Sequence, residues 1–461
     1  MKKKQPNVVF LIADDHRFDE LSANGKGRPA TPYFDGLIEN GVWMKRAHMS
    51  GGVHEAVCSP SRGSLHTGCN PLRAMSYDDM EQPNSCFAID TEHPQLTEVF
   101  GQAGYHTHGI GKWHNEPDSF AKGFKSGSRI FFGGMDDQYS MPYYDFDPSG
   151  KYEQYYTGKP HIEEGKNATE MFCDAAVDFL DQYQEEDPFF MYVGSTSPHD
   201  PRNAPQDYHD QYRAEDIELP PNFMSEHPFD NGELDIRDEE LAAKPRVEAE
   251  IKQHIADYYA MITHLDHQIG RVIEKLKDRG LYEDTIIVYT ADHGLGVGQH
   301  GLMGKQNQYD HSIRIPMLMS GPGIPASMQS DALVYLFDLY PTLCELCGIG
   351  VPEKQDALSF LPLLREDEST VRDSLFCFYK DRQRSVTDGR YKMIRYLRSE
   401  REKVGVNYCQ LFDLQSDPWE QVNVADKDKY STVLAELQVL EQKWLKEVPV
   451  TKFYENCSQG L

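Results

Sequence analysis

Asp14 and Asp15 are adjacent acids, and two carboxylates side by side are costly unless a cation lies between them. Asp292, in Asp292-His293-Gly294, supplies a third carboxylate. Carboxylates are hard oxygen donors of the kind that suit calcium first and magnesium second, while His293 is softer and would admit other metals. The simpler reading of Asp14-Asp15 is a loop or helix cap. Cys58 opens the run Cys58-Ser59-Pro60-Ser61-Arg62-Gly63-Ser64-Leu65-His66-Thr67-Gly68. Arg62 follows Cys58 by four residues, one helical turn, so a helix beginning near Ser59 brings both to the same end. The N-terminus of that helix would favour an anion. Lys112 and His114 are two residues apart in Gly104-Tyr105-His106-Thr107-His108-Gly109-Ile110-Gly111-Lys112-Trp113-His114. An extended segment puts both side chains on one face. With no glycine-rich lead and no Ser or Thr after Lys112, this is not a P-loop.

These residues must be positioned by something, and the first two-thirds of the chain offers a plan. Short apolar runs alternate with helical stretches, which predicts a parallel sheet covered by helices. Strands are expected at Asn7 to Ala13, Tyr105 to Ile110, Pro188 to Gly194 and Thr285 to Thr290. Helices are expected at Thr31 to Asn40 with a Thr N-cap, Leu96 to Ala103, Asn167 to Gln184 and Val247 to Arg279. Asp14 and Asp15, Lys112 and His114, His199, and Asp292 and His293 each follow one of those strands. Open α/β sheets bind ligands beyond the carboxyl ends of their strands, so four segments satisfy that rule independently. After about residue 355 the pattern changes to short antiparallel strands, at Ser374 to Tyr379, Arg384 to Thr387, Tyr391 to Tyr396 and Tyr408 to Leu414. A helix from Val433 to Val448 closes the chain, with Leu437, Leu440 and Trp444 on one side. The expected division is a catalytic α/β unit over 1–360 and a smaller antiparallel sheet-and-helix unit over 361–461.

Composition excludes several classes of partner. The chain has 461 residues, 39% of them hydrophobic, and a net charge of −28. Nucleic acid and anionic membranes would be repelled, and no apolar run approaches a membrane span. An anionic substrate would be repelled at long range too, so its site must be a local island of positive charge. The start, Met1-Lys2-Lys3-Lys4, resembles the charged end of a signal peptide, but the run from Val8 to Ala13 is too short for a signal core. The expectation is a periplasmic or secreted protein whose signal has been removed, or a cytoplasmic one. Nine cysteines show no disulfide framework, and Cys344 and Cys347 read as buried helix thiols. Asn167-Ala168-Thr169 and Asn456-Cys457-Ser458 are sequons of the kind expected by chance.

The Cys58 run resembles the C-x-P-S-R signature of type I sulfatases, whose cysteine is oxidised to formylglycine; His66 stands where that family has an apolar residue. The run from Gly104 to His114 resembles the second sulfatase signature, and Leu411-Phe412-Asp413-Leu414-Gln415-Ser416-Asp417-Pro418-Trp419-Glu420 resembles a turn in the family's C-terminal part. The resemblance implies an alkaline phosphatase-like fold, with a large mixed, mostly parallel sheet. It implies a calcium or magnesium site formed by Asp14, Asp15, residue 58, Asp292 and His293. It assigns Cys58, Arg62, Lys112, His114, His199 and Lys305 to catalysis. One hydroxyl of the aldehyde hydrate attacks sulfur, and His199, in Pro198-His199-Asp200-Pro201, protonates the leaving oxygen. Lys305, in Gly304-Lys305-Gln306, contacts the sulfate. The second hydroxyl then loses a proton to His114 and sulfate is expelled; Asp292 orients or deprotonates the attacking hydroxyl. His311 and Arg314 read as scaffold. The implied partners are a sulfated carbohydrate and a formylglycine-generating enzyme, with the oligomeric state open. Substrate contacts are expected on the stretches Phe120 to Lys166 and Arg202 to Lys244, the first rich in aromatic residues suited to stacking on sugar rings. The expected activity is exo-acting removal of sulfate from galactose or an N-acetylhexosamine. The alternatives are a phosphomonoester, phosphodiester or phosphonate hydrolase of the same superfamily, and a sulfated-glycan-binding protein with unmodified Cys58.

Overall fold

A computed structural model describes residues 5–76, 88–152, 160–399 and 402–453. Its strands are β1 (Asn7–Ala13), β2 (Gly41–His48), β3 (Gly51–Gly52), β4 (His106–Lys112), β5 (Ser126–Phe131), β6 (Pro142–Tyr143), β7 (His161–Ile162), β8 (Phe189–Gly194), β9 (Thr285–Ala291), β10 (Arg314–Ile315), β11 (Met317–Ser320), β12 (Met328–Tyr335), β13 (Leu375–Tyr379), β14 (Gln383–Thr387), β15 (Tyr391–Tyr396) and β16 (Tyr408–Asp413). The main sheet runs β10-β2-β11-β9-β1-β8-β4-β5, with β12 paired to β2. From β9 through β1, β8 and β4 to β5 it is parallel. β11 is antiparallel to both β9 and β2, and β10 is antiparallel to β2. The sheet is therefore mixed and mostly parallel, as expected.

The central strands β1, β8 and β9 are largely apolar, and they are buried at every position. Only a sheet covered on both faces buries both sets of alternating side chains. The principal helices are α1 (Pro32–Glu39), α2 (Cys58–Thr67), α3 (Leu96–Gln102), α4 (Ala168–Gln182), α5 (Glu248–Asp278) and α6 (Ser431–Glu447). α1 and α4 pack against α5, while α2 packs near α3 and the helix Leu339–Leu346. Every helix and strand read from the periodicity is present, with ends shifted by a residue or two. β2, β3, β5 to β7 and β10 to β12 were not anticipated. Gly41 read as a helix stop, and Lys45 and Arg46 break the apolar pattern of the strand it opens.

The second sheet runs β16-β15-β14-β13-β3. Its four long strands are antiparallel, and Leu437 of α6 is buried against it with Leu440 and Trp444 packed alongside. Its fifth strand comes from the N-terminal part of the chain: Gly51 and Gly52 pair parallel with Phe378 and Tyr379. Gly51 has φ +128°, and a Cβ there would lie 2.0 Å from the Phe378 carbonyl oxygen. Only glycine allows this approach, which ties the segment leading into Cys58 to the second sheet. The seven described cysteines are all free. Asn167 caps α4 by accepting from the Thr169 amide at 3.0 Å and is buried, so it is not available to glycan; the Asn456 sequon lies outside the described residues.

Candidate active site

Ile12 stands opposite Gly194, Ala13 opposite Ala291, and Gly194 opposite Gly111 in the sheet register. The carboxyl ends of β9, β1, β8 and β4 are therefore level. Asp292 and His293 follow β9, Asp14 and Asp15 follow β1, His199 lies five residues beyond β8, and Lys112 ends β4. The loops are tied to one another by backbone bonds, Asp14 N–H to Ser197 O at 3.1 Å and Asp292 N–H to Ala13 O at 3.2 Å.

Cys58 is the first residue of α2 and is buried. His293 Nε2 lies 3.1 Å from its Sγ and Lys305 Nζ 3.5 Å. Lys305 Nζ also donates to Asp15 Oδ1 at 2.9 Å, and His293 Nδ1 lies 3.1 Å from the same oxygen. His199 Nε2 is 3.8 Å from Asp15 Oδ2. Lys112 pairs with Asp14 and donates to Gly134 O. Arg62 Nε donates to Asp292 Oδ2 at 2.9 Å, and its Nη1 donates to Lys112 O and the Tyr192 hydroxyl at 3.0 and 3.1 Å. The structure thus brings together Asp14, Asp15, Cys58, Arg62, Lys112, His199, Asp292, His293 and Lys305. His114 is buried nearby, close enough for the charges of Lys112, Asp14, Arg62 and Lys305 to act on it.

Two local expectations change. β4 ends at Lys112 and His114 has φ +60°, so Lys112 and His114 do not share one extended face. The chain turns left-handed, and the His114 ring stands against Gly134, where a Cβ would meet Nε2 at 2.8 Å. The helix end is also less open to an anion than expected. Ser59 and Ser61 N–H groups donate to Ala56 and Val57 carbonyls at 3.3 and 3.2 Å, and Pro60 has no N–H. Positive charge at this end comes instead from Arg62, Lys112 and Lys305.

The electrostatics follow from burial among charges. Burial raises the Asp14 carboxyl, but Lys112, His199, Lys305 and Arg62 together hold it well below the usual carboxylate range. Burial opposes the charge on Lys305, yet Asp15, Cys58, Asp238 and Asp14 keep its ammonium form well above the usual lysine value. Burial, reinforced by Lys112, pushes His114 well down and so favours its neutral imidazole form. Burial and the Asp14 charge push the Cys58 thiol up. A thiol held protonated is a poor nucleophile, so the site gains little from an unmodified cysteine.

The residues fit a divalent cation. Ligand atoms of Asp14, Cys58, Asp292 and His293 lie within 4.8 Å of one another, and all four residues are buried. Asp14 Oδ1 is buried with no hydrogen-bond partner among the described residues. Arg62 Nη2 is likewise buried and unpartnered, a donor left over for an oxygen group at residue 58.

Sequence reasoning missed Tyr192, whose hydroxyl steadies Arg62, and Asn115, whose Nδ2 donates to Ser59 Oγ at 3.0 Å. A tyrosine inside an apolar strand run gives no outward signal of such a role. The aromatic wealth of Phe120 to Lys166 is largely spent on packing: Phe120, Phe124, Phe131, Phe132 and Tyr152 are all buried. His311 is buried beside the stacked rings of His300 and Tyr309, and Arg314 lies over the Phe18 ring, contacts in keeping with a scaffold role.

Residues 6–349 match the family model described as Sulfatase, and residues 298–446 match N-sulphoglucosamine sulphohydrolase, C-terminal. A protein named Sulfatase from Formosa agariphila is 29% identical over 456 residues, covering 95% of this chain and 87% of that one. An N-acetylglucosamine-6-O-sulfatase from Bacteroides thetaiotaomicron is 25% identical, covering 95% and 86%. Among solved structures, a chain in complex with its substrate D-glucosamine-2-N,6-O-disulfate superposes with a TM-score of 0.78 at 22% identity, covering 96% of this chain and 98% of that one.

Proposed function

Since this chain belongs to the sulfatase family and is on that ground a sulfuric ester hydrolase, we propose that it removes sulfate from a carbohydrate, acting at chain ends on sulfated galactose or N-acetylhexosamine. The observation that carries the reading is the meeting of three carboxylates, two histidines, two lysines and an arginine around Cys58 at one edge of the sheet. The likeness to an N-acetylglucosamine-6-O-sulfatase supports the N-acetylhexosamine.

In this reading Asp14, Asp15, Asp292 and His293 hold calcium, with magnesium as the substitute. The ion supplies charge neutralisation at the sulfate oxygens and a lowered pKa for a hydroxyl on residue 58. Residue 58 as formylglycine hydrate supplies two hydroxyls on one carbon. Arg62, fixed by Asp292, Lys112 O and Tyr192, orients them. Lys305 stays charged and binds a sulfate oxygen. His199 gives its Nε2 proton to the departing sugar oxygen. His114, kept neutral, takes up the proton released at residue 58. Each group acts where charge develops, among buried side chains where such groups are worth more than in water.

Incubation with N-acetylglucosamine 6-sulfate, N-acetylgalactosamine 4- and 6-sulfates, galactose sulfates and 4-nitrophenyl sulfate tests the proposal. Release of sulfate from a sugar is the expected result. Turnover of the aryl ester alone, or faster turnover of matched phosphate esters, contradicts it. Chelation by EDTA is expected to abolish activity, and calcium to restore more of it than magnesium does.

A further inference from the structure

The stretch Arg202 to Lys244 was expected to carry substrate contacts; one turn within it reaches both catalytic loops. Arg237, Asp238 and Glu239 open a 3-10 turn over Arg237–Leu241, and each of the three side chains goes to a different partner. Arg237 forks onto Asp200: Nη1 donates to Oδ1 at 2.9 Å and Nη2 to Oδ2. Asp200 in turn holds His199. His199 Nδ1 donates to the Asp200 carbonyl at 2.7 Å and lies 3.3 Å from its carboxylate. That leaves Nε2 facing Asp15 and the pocket around Cys58.

Asp238 and Glu239 go to the Lys305 loop instead. Gln306 Nε2 donates to Asp238 Oδ2 at 2.8 Å, and Gln306 Oε1 accepts from the Lys305 amide at 2.9 Å. Glu239, buried and paired with Arg246, accepts from the Met303 and Gly304 amides at 3.0 and 2.9 Å. A Cβ at Gly304 would lie 2.6 Å from Gln306 Oε1 and 3.0 Å from Glu239 Oε1, so a larger residue there would displace these two side chains. Arg237 Nη1 also donates to Asp238 Oδ1 at 3.1 Å, joining the two halves.

We infer that the turn Arg237-Asp238-Glu239 is a brace that sets His199 at a fixed position relative to Lys305. The inference rests on the sulfatase reading above. His199 must meet the departing oxygen while Lys305 holds the sulfate from which it departs. Those two oxygens are bonded to the same sulfur, and the loops come from strands separated by β1. A displacement of an ångström between them weakens proton donation while binding survives. Arg237, Asp238 and Glu239 are positioning residues, since each is argued to act through the His199 or the Lys305 loop.

The test is leaving-group dependence. In Arg237→Met, whose guanidinium is 45% exposed in the native protein, and in Asp238→Asn, the donor is misplaced. The sugar sulfate of the panel that the unaltered enzyme cleaves fastest needs a proton on its oxygen. Its kcat is expected to fall at least ~10-fold, out of the ~10²–10⁴ that general acid catalysis supplies. 4-Nitrophenyl sulfate leaves without a proton, and its kcat is expected to change less than ~3-fold. KM is expected to hold for both esters, and Arg237→Lys to recover part of the sugar-ester rate. Equal losses on the two esters, a loss carried by KM, or no loss on the sugar ester each overturn the brace. Absence of turnover by the unaltered enzyme on both esters overturns the sulfatase reading and the brace with it.

Discussion

Residue 58 is where the account can be tested atom by atom. Serine carries one hydroxyl, so Cys58→Ser can attack once but has no second hydroxyl to drive release. It is expected to give at most one product per enzyme molecule in a burst assay and no steady turnover; sustained turnover would contradict the two-hydroxyl mechanism. His66 shows how a departure from the family pattern can be structurally mild. Its ring is buried 4.3 Å from Trp113 and 5.4 Å from Tyr192, and both nitrogens lack partners among the described residues. Burial, with the Arg62 charge, pushes its pKa down to about 3, so it packs as a neutral aromatic. His66→Leu removes two unpaired polar atoms while roughly keeping volume, and is expected to leave stability unchanged or raised by about 1 kcal/mol, read as Tm. The metal and nucleophile residues were legible because unusual types stand at fixed offsets. Tyr192, Arg237 and Glu239 were not, because a common side chain in a loop or strand reveals its partner only after folding.

The start of α1 shows what periodicity gives and what it withholds. Thr31 was expected to cap this helix and does occupy the N-cap position, but its side chain makes no cap bond. Its hydroxyl bonds Ser22 instead. Asp266 of α5 does the capping, accepting from the Tyr33 and Phe34 amides at 3.2 and 2.8 Å. The capping acid lies 232 residues beyond Phe34 in sequence, too far for any local pattern to reveal. Asp266→Ala is expected to cost about 1–2 kcal/mol. Burial raises the Asp266 pKa to about 7 against the opposing pull of the two amides. A carboxyl whose folded pKa is raised favours folding while protonated. That contribution is complete below its unfolded value near 4 and is lost as pH rises through about 7. Asp266→Asn is therefore expected to flatten the decline in Tm between pH 4 and 7; an unchanged slope contradicts the assignment. β1 and β9 were legible for a simpler reason, since continuous apolar runs rich in Val, Ile and Thr have few other fates. β2 was not, because its basic residues lie beside the second sheet rather than in a core.

Across the whole molecule, two sheets must stay in register around one site. Glu420, the last residue of the C-terminal turn, accepts from the Asp310 amide at 2.8 Å and pairs with the buried Lys392 at 2.7 Å. Lys392 also pairs with Asp310 at 2.7 Å, which joins the second sheet to the loop that follows Lys305. Glu420→Ala removes one of the two carboxyl partners of the buried Lys392 ammonium, Asp310 remaining, and leaves the Asp310 amide without its acceptor; it is expected to cost about 1–3 kcal/mol, measured by chemical denaturation. The net charge of −28 opposes approach of a polyanion, and salt screens such repulsion within about 10 Å at 0.1 M. kcat/KM on a multiply sulfated oligosaccharide is expected to rise with moderate salt, while that on a neutral sugar monosulfate changes less. All of this converges on the chemical state of one side chain. Mass spectrometry of the peptide containing residue 58, from protein purified from its native host and treated with an aldehyde-reactive hydrazide, is the most direct measurement. The account predicts a formylglycine mass and a hydrazone adduct; an intact thiol at Cys58 with no adduct would contradict it.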